Sequence, residues 1–202
     1  MVDKYKTDVN ERELSILRTF YPEGKELTLK ELKKRTGYSY ERINSYLKSL
    51  TVKKAVIEKK VGRTLVYSLN FKNISSKVAY YLYSSKRADE FSIKEKTVFI
   101  ALSELPEEEL DIYAIFGSYA KGSQRKDSDI DLLCVTSNKE KIETAISSIQ
   151  RRHNVNIQPV ILPRTEFAKI KNENREFWQD LVNYGVLFKG HELMYYYAYE
   201  KE

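Results

Sequence analysis

The chain has 202 residues, of which 42% are hydrophobic and 12% aromatic, enough apolar side chain for packed cores and too much for a disordered chain. A single cysteine, Cys134, excludes a disulfide framework and a cysteine-rich zinc cluster, and no apolar run approaches the roughly 20 residues of a membrane-spanning helix. The net charge of +6 is uneven: residues 1–90 hold 20 Lys and Arg against 11 Asp and Glu, whereas residues 91–202 hold 15 against 18. A basic half suits contact with a polyanion, and a mildly acidic half suits carboxylates gathered around a metal. The polar N-terminus, Met1–Lys6, does not resemble a secretory signal, so the expected compartment is the cytoplasm.

In chain order, Leu14, Ile16, Leu17 and Phe20 recur at helical spacing over Glu11–Phe20, after a cap at Asp8 or Asn10. Thr28 and Glu31 form a capping-box pattern for a second helix, Leu29–Arg35, closed by a turn at Gly37. A third helix opens at Ser39 or Tyr40 and runs to Leu50, with Ile43, Tyr46, Leu47 and Leu50 inward and Tyr40, Glu41, Asn44, Ser45 and Lys48 outward. Residues 55–60 and 64–69 then read as two strands joined through Val61-Gly62-Arg63, a hairpin with a basic tip. Helix, short glycine turn, helix and hairpin resemble the winged helix-turn-helix domain that binds DNA. That resemblance implies Tyr40, Arg42, Asn44, Ser45 and Lys48 as groove-facing residues, Arg63 as a wing contact, and double-stranded DNA as partner.

Residues 73–92 are expected to be a helical connector, with a helix over Ser75–Ser85. A helix over Ile93–Leu105 stops at Pro106, and the acidic run Glu107-Glu108-Glu109 leads into a strand made of Ile112, Ala114, Ile115 and Phe116. A second strand carries Leu132, Leu133, Cys134 and Val135, and a helix over Lys139–Arg152 and a third strand over Asn154–Leu162 follow. Helical segments from Glu166 to Tyr184, a short strand over residues 185–190 and an aromatic tail, Met194–Tyr199, complete the chain. The boundaries expected are 1–72, 73–92 and 93–202, and the fold class is α+β with a mixed sheet flanked by helices.

Between the first two strands lies a polar loop that begins Gly117-Ser118 and ends Ser128-Asp129-Ile130-Asp131. Alternation along a strand sends Ile130 and Leu132 into the core and projects Asp129 and Asp131 together. Two carboxylates held that close repel unless a hard cation neutralises them, and Mg2+ (or Mn2+) is the natural choice. Gly117-Ser118, ten residues and then Asp129-x-Asp131, with Ser128 before the first Asp, is similar to the signature of the nucleotidyltransferase superfamily of DNA polymerase beta-like enzymes, closest to its minimal members. The resemblance implies catalysis by Asp129 and Asp131 as Mg2+ ligands, and binding of the phosphates of a nucleoside triphosphate by Gly117, Ser118, Lys121 and Ser128.

This chain departs from that family at the third carboxylate expected on the strand that follows, where Asn156 and Gln158 are neutral amides that neither ionise nor act as general bases. Two functions are therefore carried forward. One is Mg2+-dependent transfer of a nucleoside monophosphate from an NTP to a hydroxyl acceptor, coupled to a DNA-binding winged helix. The other is a DNA-binding regulator, or an antitoxin-like protein paired with a toxin, whose nucleotidyltransferase fold binds nucleotide without turnover. A homodimer is expected, since paired winged helices read two half-sites.

Overall fold

The computed structural model describes residues 8–201; Met1–Lys6 lie outside them. The chain divides into two compact units, one reaching Tyr83 and including the C-terminal segment from Tyr199, the other spanning Ser84–Ala198. The division falls inside one helix, where the sequence suggests a connector over residues 73–92.

The first unit contains α1 (Glu11–Arg18), β1 (Leu27–Thr28), α2 (Leu29–Thr36), α3 (Tyr40–Val52), β2 (Val56–Val61) and β3 (Thr64–Leu69), and it holds the start of α4 (Ile74–Lys94). Its helix starts follow the sequence closely. Asn10, not Asp8, caps α1: its side chain accepts from the Glu13 N–H while the Glu13 carboxylate accepts from the Asn10 N–H. Thr28 and Glu31 form the same reciprocal pair on α2, which ends at Gly37 with φ +71°. Ile16, Leu17, Leu32, Ile43, Leu47 and Leu50 are buried between the three helices, each contributing about 1.5–3 kcal/mol. Tyr46 is only half-buried, its ring centroid 6.2 Å from that of Tyr38.

The two long strands pair antiparallel, and Gly62, with φ +61°, opens the two-residue turn between Val61 and Thr64. β1 is not legible in the sequence. Two residues carry no periodicity, and Leu27 and Thr28 become a strand only by pairing with Tyr67 and Val66, which gives the order β1-β3-β2. Glu13 is almost wholly buried and receives Lys53 Nζ at 2.7 Å. In the aromatic tail, Tyr199 stacks on Phe71 at 5.0 Å and donates to the Pro22 carbonyl, and Tyr195 is buried.

The second unit follows the remainder of α4 with α5 (Lys96–Leu102), a 3-10 turn over Glu107–Glu109, β4 (Ile112–Ile115), α6 (Gly117–Lys121), β5 (Ile130–Val135), α7 (Lys139–His153), β6 (Ile157–Leu162), α8 (Arg164–Glu173), α9 (Arg175–Tyr184), β7 (Val186–Lys189) and α10 (His191–Tyr195). The sheet is mixed, in the order β6-β5-β4-β7. β5 and β6 run parallel, as the α7 crossover requires, and β4 is antiparallel to both β5 and β7. On one side Ile130, Leu132 and Cys134 pack with Val98, Leu102, Ile142 and Ile146. Leu133 and Val135 alternate to the other side and are buried as well, which is why β5 reads as a continuous apolar run.

Two expectations are corrected. The helices read over 75–85 and 93–105 are α4 and α5, divided at Glu95; the charged stretch Lys86–Glu90 is a turn of α4, because Lys, Arg, Ala and Glu are good helix formers whatever their polarity. The loop read after Gly117 begins instead with α6, five residues long and closed by Gly122 at φ +68°, too short for an apolar repeat to reveal.

Candidate active site

Asp131 sits near the start of β5, and Gly117, the first residue of α6, faces it. Gly117 has φ +65°, and a Cβ placed there would lie 1.9 Å from Asp131 Oδ2. Both the backbone conformation and the space therefore demand glycine. The Ser118 backbone N–H donates to the Asp131 carboxylate. Burial pushes the Asp131 pKa upward, the charges of Asp129 and Asp180 add to the rise, and the Ser118 N–H and Lys121 only partly oppose it.

Asp129 lies one residue before β5 and accepts a 2.6 Å hydrogen bond from Asn156 Nδ2. Gln158 stands in register with Asp131 on the parallel neighbour β6. The amides thus lie beside the carboxylate pair. Glu166, the first acid after β6, is an exposed residue in the first turn of α8.

Lys121, at the end of α6, is drawn to a partner that the motif does not contain. Its Nζ lies 2.5 Å from Asp180 Oδ1 on α9 and 5.2 Å from the Tyr184 ring centroid, and the Asp180 hydrogen bond raises its pKa. Phe116, Gly117, Lys121, Asp131, Glu176, Phe177 and Asp180 are among the residues that surround a cavity of about 340 Å3. Asn174 caps α9 through the Phe177 N–H, and Phe177 meets the Phe116 ring edge-on at 5.0 Å. At the other end of α9, Arg87 donates to the carbonyls of Asn183 and Tyr184 and, more weakly, to that of Ala120 in α6.

The Ser128 hydroxyl accepts from the Arg125 N–H at 2.8 Å while the Ser128 N–H donates to the Arg125 carbonyl, a reciprocal pair that folds the loop ahead of Asp129. Arg125 and Lys126 are exposed. Cys134 is buried, its thiol pushed up to about 12, which suits a core residue. Sequence reasoning missed Asp180: an acid on the amphipathic α9 looks like any solvent-facing carboxylate until the fold brings it to Lys121.

Among the described residues, no three of His, Cys, Asp and Glu stand together as a metal site. Mg2+ is commonly held by one or two carboxylates together with substrate phosphates rather than by a full protein cage, so Asp129 and Asp131 fit one cation bound with a triphosphate. The penalty that burial and like charge impose on ionised Asp131 is what a cation would relieve.

In the first unit, Tyr40, Arg42, Asn44, Ser45, Lys48 and Arg63 are all exposed. Tyr40, Asn44 and Arg63 line one groove of about 630 Å3 together with Thr28 and Lys30. Arg42, Ser45 and Lys48 do not line it; the Arg42 guanidinium lies over Tyr38 at 5.6 Å, and Lys33 Nζ lies over the Tyr40 ring at 4.4 Å.

Comparison with known proteins places the second unit. Residues 96–190 match the family model described as nucleotidyltransferase domain. Over 91 residues the chain is 31% identical to a proposed protein adenylyltransferase of Methanocaldococcus jannaschii, which covers 42% of this chain and 85% of that protein. A crystal structure of a toxin-antitoxin with AMP-PNP overlaps 52% of this chain and 84% of its own at 18% identity, with a TM-score of 0.36. That of a proposed nucleotidyltransferase from Sulfolobus solfataricus overlaps 52% and 85% at 25% identity, with a TM-score of 0.26.

Proposed function

Since the chain belongs to the nucleotidyltransferase domain family, we propose that it transfers a nucleoside monophosphate from an NTP to a hydroxyl acceptor, at the site built around Asp129 and Asp131, and that its N-terminal unit is a DNA-binding winged helix. The observation that carries the catalytic reading is the seating of Asp131: its carboxylate rests on Gly117 and is fixed by the Ser118 N–H, at the mouth of a cavity holding a lysine. Gly117 lets backbone and triphosphate approach closely, as a side chain there would not. Ser118 holds Asp131 and Asn156 holds Asp129, so both carboxylates are oriented before substrate arrives. Lys121 supplies a cation for the triphosphate, and Ser128 shapes the loop that delivers Asp129. A Mg2+ or Mn2+ ion held by Asp129 and Asp131 would neutralise the triphosphate and ease departure of pyrophosphate. Transfer of AMP to a protein hydroxyl is the version that the name of the Methanocaldococcus relative favours.

For the N-terminal unit, the order of helices, the β1-β3-β2 sheet and the groove shared by Tyr40, Asn44 and Arg63 support duplex DNA as the partner, with a homodimer reading two half-sites. A second reading rests on Asn156 and Gln158, the amides beside the pair: a regulator or antitoxin-like protein that binds nucleotide and a toxin partner without turnover.

Incubation with Mg2+ or Mn2+ and NTP labelled at the α-phosphate separates the two. Label transfer or pyrophosphate release that Asp129→Asn abolishes, with DNA affinity unchanged, supports catalysis. Nucleotide-dependent DNA affinity without transfer supports the second reading. Arg63→Ala and Lys48→Ala are each expected to weaken DNA binding and to lower its salt slope by about 1, and unchanged affinity at low salt counts against the face.

A further inference from the structure

Lys121 stands within electrostatic reach of three carboxylates that line the same cavity, Asp131, Glu176 and Asp180. Its Nζ pairs with Asp180 at 2.5 Å, while the Asp131 carboxyl feels Lys121 as an opposing charge and Asp180 as a like one. Lys121 is 39% exposed and carries its charge at the end of a long unbranched side chain, and α9, which carries Asp180, is secured at one end by the Asn174 cap and at the other by Arg87. The fixed member of the pair is therefore the aspartate, and the movable one is the lysine. Without Asp180, the carboxylates left in the cavity for Lys121 are Asp131, which already feels the lysine's charge, and Glu176.

We propose that Asp180 is a positioning residue that holds Lys121 away from Asp131, keeping the Asp131 carboxylate open to a divalent cation and Lys121 available to the phosphates. This deepens the catalytic reading above and rests on it for the identity of the site. An internal ion pair between Lys121 and Asp131 would compete with the cation for the same carboxylate, and the two outcomes differ by where one side chain points. When a triphosphate enters, Lys121 exchanges Asp180 for phosphate oxygens over a short distance, because α6 and α9 flank the same cavity.

The test is a Mn2+ binding titration, without nucleotide, on the full chain and on Asp180→Asn, Lys121→Met and the double variant. If Asp180 acts through Lys121, Asp180→Asn weakens Mn2+ binding about tenfold with Lys121 present and has little effect in the Lys121→Met background. Lys121→Met alone does not weaken Mn2+ binding. Equal weakening by Asp180→Asn in both backgrounds would mean that Asp180 is only a further negative charge or a packing residue, and would overturn the proposal. So would an Asp180→Asn variant that binds Mn2+ as the parent does. Because Mn2+ binding is read without NTP, absence of transfer activity would sink the catalytic reading while leaving this outcome to stand by itself.

Discussion

Replacing Gly117 with alanine probes the contact on which the site depends. The added Cβ meets two obstacles, φ +65° and the Asp131 carboxylate at 1.9 Å. The first costs about 1–2 kcal/mol for a residue with a side chain. The second is relieved by turning a flexible carboxylate away, which costs little in packing but forfeits the charged hydrogen bond from Ser118, roughly 1.5–3 kcal/mol. Moving Asp131 toward water recovers part of its burial penalty, so the sum falls near the low end, about 3 kcal/mol, or roughly 10 °C in the melting of the second unit. Function suffers more than stability, because the displaced carboxylate is the proposed cation ligand: Mn2+ binding and transfer are both expected to be lost. The assay is thermal unfolding with and without Mn2+, repeated in an Asp131→Ala background. There the clash and the Ser118 bond are already gone, so Gly117→Ala should cost only the backbone term, about 1–2 kcal/mol. An equal cost in both backgrounds would refute the argument that Asp131 dictates glycine at this position.

Asn156→Asp replaces a donor 2.6 Å from Asp129 with a third negative charge; the cation-free protein is expected to lose about 1–3 kcal/mol, and Mn2+ to restore it and bind about tenfold more tightly, read as opposite shifts in melting temperature. No rise in Mn2+ affinity would mean that position 156 does not face the cation. In the first unit, burial pushes the Glu13 carboxyl up, but hydrogen bonds from Lys53, Ser49 and the Asn10 N–H outweigh it and hold the pKa below its ordinary value of 4.5. A depressed folded-state pKa means stability present above about pH 4.5 and lost as the pH falls through the folded value, which denaturation of the first unit across that range will show. Lys53→Met takes the cation from a buried carboxylate that keeps only the Asn10 N–H and Ser49, costs about 3–5 kcal/mol at neutral pH, and raises the carboxyl pKa, so that this variant loses less stability than the parent as the pH falls.

Much of the architecture is local and was open to reading from residues alone. Capping pairs such as Thr28 with Glu31, the turn at Gly62 and the apolar run Leu132–Val135 act over a few positions, so their spacing carries their meaning. For the same reason the Gly117-Ser118 to Asp129-x-Asp131 spacing pointed to nucleotide and cation chemistry, and the amides at 156 and 158 were visible as a departure from it. Tertiary structure decided what depends on elements distant in sequence: β1 exists because β3 pairs with it, α4 crosses the charged stretch as one helix, and Gly117 must be glycine because Asp131 leans on it. It also joined Lys121 to Asp180, 59 positions apart, on elements too short or too ordinary in pattern to announce a site. An isolated charge on a helix has no direction in sequence; it acquires one only when packing fixes which opposite charge it can reach.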